Sequence, residues 1–124
     1  MIDFSDIRLN QNEPVYIQLA EHVKRKIISG QAAEGDALPS RRELAASLAI
    51  NPNTAQKAYR LMEEEGFLET PRNAASHIRL QEGAMERIRY ELCESFVKEF
   101  VSTAKKNNLS YREVIGLISS IWED

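Results

Sequence analysis

Apolar residues recur at helical spacing through most of this chain, and the places where that spacing fails divide it into segments. Over residues 15–29, Tyr16, Leu19, Ala20, Val23, Ile27 and Ile28 repeat at three- and four-residue steps, with Glu21, Lys24 and Arg25 on the other side, which predicts a helix. Gly30 stops it, and QAAEGDALP reads as a connector that turns at Gly35-Asp36. A short helix over 41–48 should bury Leu44, Ala45 and Leu48. A third, over 52–65, gathers Ala55, Ala58, Tyr59 and Met62 on one stripe and leaves Asn53, Gln56, Lys57 and Arg60 on the opposite one. After Gly66 the runs FLET and SHIRL alternate in character and predict a small β-hairpin around residues 71–75.

Gly83 reads as a boundary. Beyond it Met85, Ile88, Leu92, Phe96, Phe100 and Ala104, widened by Cys93, Val97 and Val101, predict a helix over 84–106 that Asn107-Asn108 can end. A last helix follows Ser110, with Tyr111, Val114, Ile115, Ile118, Ile121 and Trp122 as its stripe. Two helices of about forty residues in all have too little interior to hide both stripes. A second copy about a two-fold axis is the expected cover, because soluble oligomers are most often C₂ dimers. The candidate dimer interface is Ile88, Leu92, Phe96, Phe100, Val114, Ile118, Ile121 and Trp122. Residues 1–13 show no sustained period and are expected as a lightly docked arm with Ile2, Phe4 and Ile7 as anchors. The expected organisation is mostly α with a small β-hairpin: a winged helix-turn-helix domain over 1–82, arm included, and a helical dimerisation hairpin over 83–124.

The helix starts carry their own chemistry. In S-R-R-E the Ser40 hydroxyl can accept from the Glu43 N–H while the Glu43 carboxylate reaches back to the Ser40 N–H, a capping box that starts a helix at Arg41. Asn51 is a strong N-cap, and Pro52 suits the first helical position, where its missing N–H is not needed. Ser110 and Glu113 form a second capping box. Two starts about a dozen residues apart, the second opening on an uncharged polar edge with basic residues further along, are the pattern of a DNA-reading helix-turn-helix.

Charge changes that picture less than it first suggests. The chain has 124 residues, 43% hydrophobic and 28% charged, with a net charge of −3, which weakly opposes nucleic-acid binding. Between residues 24 and 60, however, Lys24, Arg25, Lys26, Arg41, Arg42, Lys57 and Arg60 face only Glu34, Asp36 and Glu43, a local surplus of +4. No run approaches the ~18 apolar residues of a membrane span, and the start lacks the basic-then-apolar order of a secretion signal, so a cytoplasmic protein without membrane partners is expected. Cys93 is the only cysteine and is expected as a buried structural thiol, with no disulfide framework and no CxxC motif.

With LPSRRELA at 38–45, NPNTAQKAY at 51–59 and EEGFL at 64–68 in order, preceded by EPVYIQLAEHVKRKIISG and GDALPS, the sequence resembles the winged helix-turn-helix domain of GntR-family bacterial transcription regulators. Its short tail and NPNT turn resemble the YtrA-like subfamily, in which the tail is a dimerisation element. The resemblance implies that the Arg of the PSRRELA segment and residues at the start of the third helix contact DNA, which points to Arg42, Asn51, Asn53, Thr54, Gln56 and Lys57. Chemistry agrees: Arg can bond both acceptors of guanine, Asn or Gln can bond adenine twice, and Ser40, Thr54 and Lys57 suit phosphate oxygens. Arg41 joins the candidate set, although many relatives carry another residue there, and Arg72 could enter a narrow minor groove. Relatives commonly have a Gly-x-Gly wing tip followed by a Phe-Val pair, whereas residues 72–78 here read RNAASHI. Asn73 takes a positive φ readily and Ala75 does not, so this tip is expected to be looser or differently shaped.

These features predict a sequence-specific DNA-binding regulator, a repressor, acting as a homodimer on a near-palindromic double-stranded operator. The competing expectation is a winged-helix protein-interaction module with weakened DNA affinity, which would not need the +4 surplus. Nothing suggests an enzyme, a cofactor or a metal: His22 and His77 stand far apart, the thiol lies on an expected core stripe, and no phosphate loop or metal-spaced cluster occurs. His77 is expected as an ordinary strand histidine and residues 63–65 as a solvated helix end. A small-molecule effector, if one acts, would sit at the dimer interface, since a helical hairpin offers no preformed pocket of ~300–1,000 Å³.

Overall fold

The computed structural model describes residues 1–123. Five helices, α1 (Val15–Ile28), α2 (Arg41–Leu48), α3 (Pro52–Glu64), α4 (Ala84–Lys106) and α5 (Tyr111–Trp122), accompany two short antiparallel strands, β1 (Leu68–Glu69) and β2 (His77–Ile78). The expected helix starts are the observed ones. Ser40 and Glu43 close a capping box on α2, Asn51 caps α3 with Pro52 in its first turn, and Ser110 with Glu113 repeats the box on α5. Each of these three starts is fixed by residues within one turn of it, which is why each was predictable.

The chain falls into two compact units, Met1–Arg89 and the stretch from Tyr90 onward. In the first, α3 packs against both α1 and α2 and reaches β1. Leu19 and Val23 of α1, Leu44 of α2, Tyr59 and Met62 of α3, and Phe67 and Ile78 of the wing are all fully buried. At about 1.5–3 kcal/mol for each large apolar side chain taken from water, this shared interior outweighs the weak propensity of a helix as short as α2.

The wing has a third member that the sequence did not reveal. Leu68 pairs with Ile78 and Glu69 with His77, and the connector before α2 adds a bridge from Ala37 to His77. The Leu38 N–H donates to the Ser76 carbonyl and the Ile78 N–H to the Asp36 carbonyl, both at 2.8 Å. A segment rich in turn residues thus supplies ladder bonds to the outer edge of the hairpin, a tertiary choice with no alternating pattern to announce it. At the tip Asn73 adopts φ 62°, as its side chain permits, and the Thr70 and Ser76 hydroxyls lie 2.6 Å apart below it.

Several expectations are corrected within this unit. The arm is firmly docked rather than lightly: Ile2 and Phe4 are buried, the Ile2 N–H donates to the Ala37 carbonyl at 2.7 Å, and Phe4 stacks on His22 with ring centroids 5.2 Å apart. Gln18 on α1 holds the following turn by donating to the Asn10 and Glu13 carbonyls while accepting from the Asn10 N–H. Lys24, expected on the outer face of α1, is 8% exposed, and its Nζ sits 2.6 Å from Glu65 Oε1. Ile88, expected at a dimer interface, is 1% exposed inside this unit. The first compact unit extends past Gly83 to Arg89, and Ala84 and Ile88 from the first turns of α4 are buried within it.

The second unit hides little of its apolar surface. Ala104 is buried, but no residue of α5 is, and Phe96, Phe100, Ile118, Ile121 and Trp122 are exposed, with Leu92 and Val114 half-buried. Cys93, expected as a buried thiol, is exposed in this chain. The turn between the helices is local: Asn108 takes φ 60° and the Leu109 N–H donates to the Ala104 carbonyl at 3.0 Å. Among the described residues no helix is long and apolar enough to cross a membrane.

Candidate nucleic-acid interface

The candidate residues come from the start of α2, the turn after it, the first half of α3 and the wing. Ser40 accepts from the Glu43 N–H at 3.0 Å and its own N–H donates to Glu43 Oε1 at 3.2 Å. The Ser40 hydroxyl, and after it the Ser40 N–H, holds the Glu43 carboxyl below the ordinary carboxylate range. The box fixes the backbone at the start of α2, from which Arg42 projects into solvent.

Between α2 and α3 the chain turns through Ala49, whose φ of 54° lies in the left-handed region. A residue with a Cβ pays about 1–2 kcal/mol there, so the packing of α2 on α3 must impose the turn. Asn51 is then committed to capping, its Oδ1 accepting from the Asn53 N–H at 2.8 Å. Along α3, Asn53, Lys57 and Arg60 are exposed and Thr54 and Gln56 half-buried, while Ala55, Ala58, Tyr59 and Met62 face inward. A single helix therefore presents amide, hydroxyl and cationic groups outward on one face, the set that major-groove base edges and phosphates require.

Burial and pairing sort the basic residues more sharply than the sequence could. Of the seven between residues 24 and 60, Lys24 pairs with Glu65, Arg25 with Glu21, Lys26 with Asp6 and Arg41 with Glu63. Among the described residues Arg42, Lys57 and Arg60 have no such acid, and all three lie on the exposed side of α2 and α3. The +4 surplus is mostly consumed inside the fold, and what remains is concentrated on the helix-turn-helix. The pairs with Glu65 and Asp6 join residues far apart in the chain, so no local signal could have disclosed them.

Arg41 differs from its neighbour. One guanidinium N–H donates to Glu63 Oε1 at 3.1 Å and the group stacks 4.8 Å from the Tyr59 ring centroid. Tyr16, expected as a core residue of α1, is half-buried with Lys57 Nζ 5.7 Å above its ring, which brings α1 to the edge of the candidate surface. Arg72 is exposed on the wing, and among the other basic wing residues Arg79 lies 3.5 Å from Glu69. No group of His, Cys, Asp and Glu among the described residues is arranged to hold a metal.

The model of the gntR family of bacterial regulatory proteins matches residues 15–78, which spans α1 to β2 and every candidate side chain. The chain belongs to the GntR family. It is 29% identical over 118 residues to the uncharacterized HTH-type transcriptional regulator YhcF of Bacillus subtilis, covering 95% of this chain and 98% of YhcF. To the HTH-type transcriptional repressor YtrA of the same organism it is 40% identical over 85 residues, 64% of this chain and 65% of YtrA. Among solved structures, a GntR family transcriptional regulator from Listeria monocytogenes superposes with a TM-score of 0.75 at 26% identity, covering 91% of this chain and 99% of that one. This GntR-family chain is thus a transcriptional regulator with a DNA-binding helix-turn-helix domain.

Proposed function

We propose that this regulator is a repressor that binds a near-palindromic operator as a homodimer, with α3 of each protomer in a major groove and the tail helices closing the dimer. The observation that carries the reading is α5: its stripe of Val114, Ile115, Ile118, Ile121 and Trp122 has no buried member in the single chain. Water-exposed apolar patches of that kind mark interaction sites, and a second tail, which likewise exposes Phe96 and Phe100 of α4 and leaves Leu92 half-buried, is a self-complementary cover. A two-fold dimer of helix-turn-helix domains then addresses two half-sites about one helical turn apart. The repressor assignment follows the name of the relative YtrA.

On each half-site Arg42 reads guanine, Asn53 and Gln56 read adenine, and Ser40, Thr54 and Lys57 hold phosphates, while Arg72 enters the minor groove beside the site. Asn51 contributes as the cap that orients the first turn of α3. Sedimentation equilibrium tests the dimer, and footprinting with a salt titration of a mobility shift tests the DNA reading. A monomer at micromolar concentration, or a flat salt response with equal affinity for unrelated DNA, would refute it. Arg42→Ala should relax preference at one base pair and cost ~1–3 kcal/mol, whereas Lys57→Ala should weaken all sequences more evenly and lower the salt slope by about one.

A further inference from the structure

Arg41 stands in the first turn of α2, where a cation opposes the helix dipole. Its Nε is buried without a hydrogen-bond partner among the described residues, an unfavourable state for a donor. What holds it there is α3. The guanidinium donates to Glu63 Oε1 at 3.1 Å and lies 4.8 Å from the Tyr59 ring centroid, and the Tyr59 hydroxyl donates to the Pro39 carbonyl at 2.5 Å. Burial pushes the Tyr59 hydroxyl above its ordinary range, so it stays protonated and keeps donating. Residues 39–41 are tied to one face of α3 at three points, and the next residue is Arg42.

The helix that carries Arg42 has only eight residues and buries just Leu44 and Ala45, both beyond its first two positions. Little else fixes its start against α3. Base recognition from two helices at once depends on that spacing, because hydrogen bonds weaken steeply once donor and acceptor are misplaced. We infer that Arg41 is a positioning residue: by bridging α2 to Tyr59 and Glu63 it sets where Arg42 stands relative to Asn53, Gln56 and Lys57, and so governs sequence discrimination without touching DNA. This rests on the base-reading role proposed above for Arg42. Its positive charge is already engaged by Glu63, so the pair adds little to phosphate attraction.

The test uses the full chain with two duplexes, one recovered by in vitro selection with that chain and one of unrelated sequence, each titrated over a salt series. Glu63→Gln removes an acid and leaves Arg41 in place, and Arg41→Lys keeps the charge but loses the planar fork that stacks and pairs. Each should lower the ratio of selected to unrelated affinity about tenfold while the slope of log K on log salt stays unchanged. A direct phosphate contact predicts the opposite. Glu63→Gln would then bind both duplexes as tightly or more tightly and Arg41→Lys would lose little, which overturns the inference. Glu63 is 38% exposed and the glutamine is isosteric, so this variant keeps the test decisive if Arg41→Lys unfolds. Arg42→Ala separates the two levels: if it alone loses discrimination, the positioning role is wrong and base reading stands, and if it keeps discrimination, both fall.

Discussion

Phe67 and Phe96 carry the same side chain, and the fold treats them oppositely. Phe67 is fully buried between α3 and the wing, with Lys24 Nζ 5.8 Å from its ring centroid, while Phe96 on α4 is 71% exposed. The contrast extends to the units around them. From Met1 to Arg89 the apolar stripes of α1, α2 and α3 meet one another and the wing, and even a lysine is drawn in with its acid. From Tyr90 onward the stripes are as apolar and almost nothing in the same chain meets them. Amphipathic periodicity specifies a helix and a face, but what covers that face is a separate matter. In the first unit the cover is intramolecular, and in the second we propose that it is another protomer.

Truncating those two phenylalanines should have opposite consequences. Phe67→Ala should cost about 3–5 kcal/mol in urea denaturation at any protein concentration. Phe96→Ala should leave the dilute protein almost as stable and instead reduce the mass seen in sedimentation, with an unfolding midpoint that depends on concentration. Equal losses from both in dilute protein would erase the distinction between the units.

Ile88 and Ile118 draw the boundary more finely. Ile88→Ala should remove about 2–5 kcal/mol from the winged-helix unit and leave the oligomer mass unchanged, because its side chain is 1% exposed inside that unit. Ile118→Ala should shift the mass and spare the unit. A loss of mass in the Ile88 variant at matched folded fraction would restore the boundary at Gly83.

Smaller effects probe the turns. Ala49 holds a left-handed conformation between α2 and α3, so Ala49→Gly should relieve about 1–2 kcal/mol of strain, offset in part by ~0.5–1 kcal/mol of added chain entropy. A raised denaturation midpoint is the expected result, and a lowered one would show that the methyl contributes packing. In the tail, hydrogen bonds from the Ser110 N–H and then from its hydroxyl hold the Glu113 carboxyl below its ordinary 4.5. A lowered folded value means that the cap's contribution is complete above 4.5 and is lost as pH falls through that lowered value. Tail helicity by circular dichroism should therefore decline in acid, and Glu113→Gln should flatten the decline. The Glu43 carboxyl of α2 obeys the same sign, but the surrounding core should mask its effect.

Much of this could be read from the chain because much of it is local. Ser40 with Glu43, Asn51 with Pro52, and Ser110 with Glu113 each involve residues within a single turn, so their chemistry is present in any stretch that contains them. Asn73 announced the wing turn in the same way, being the residue there that tolerates φ 62°. The exposed face of α3 followed from period alone. The failures share a different cause. The arm's docking through Ile2 and Phe4, the pairing of Lys24 with Glu65 and the ladder from Asp36 and Leu38 to the wing all join residues distant in sequence.

Arg41 and Arg42 show the limit most closely. Local sequence is enough to place two arginines at the start of α2 beside a capping serine, and to open α3 with Asn51 and show Asn53, Gln56, Lys57 and Arg60 on one face. It takes the folded chain to show that Arg41 engages Glu63, 22 residues away, while Arg42 meets no acid among the described residues, and that Ile88 closes the winged-helix core while Phe96 and Trp122 stay open. The physical reason is one of range. Caps and periodicity act across a turn or two of helix, whereas the partner of a charge and the cover of an apolar face depend on which distant segments the folded chain brings alongside.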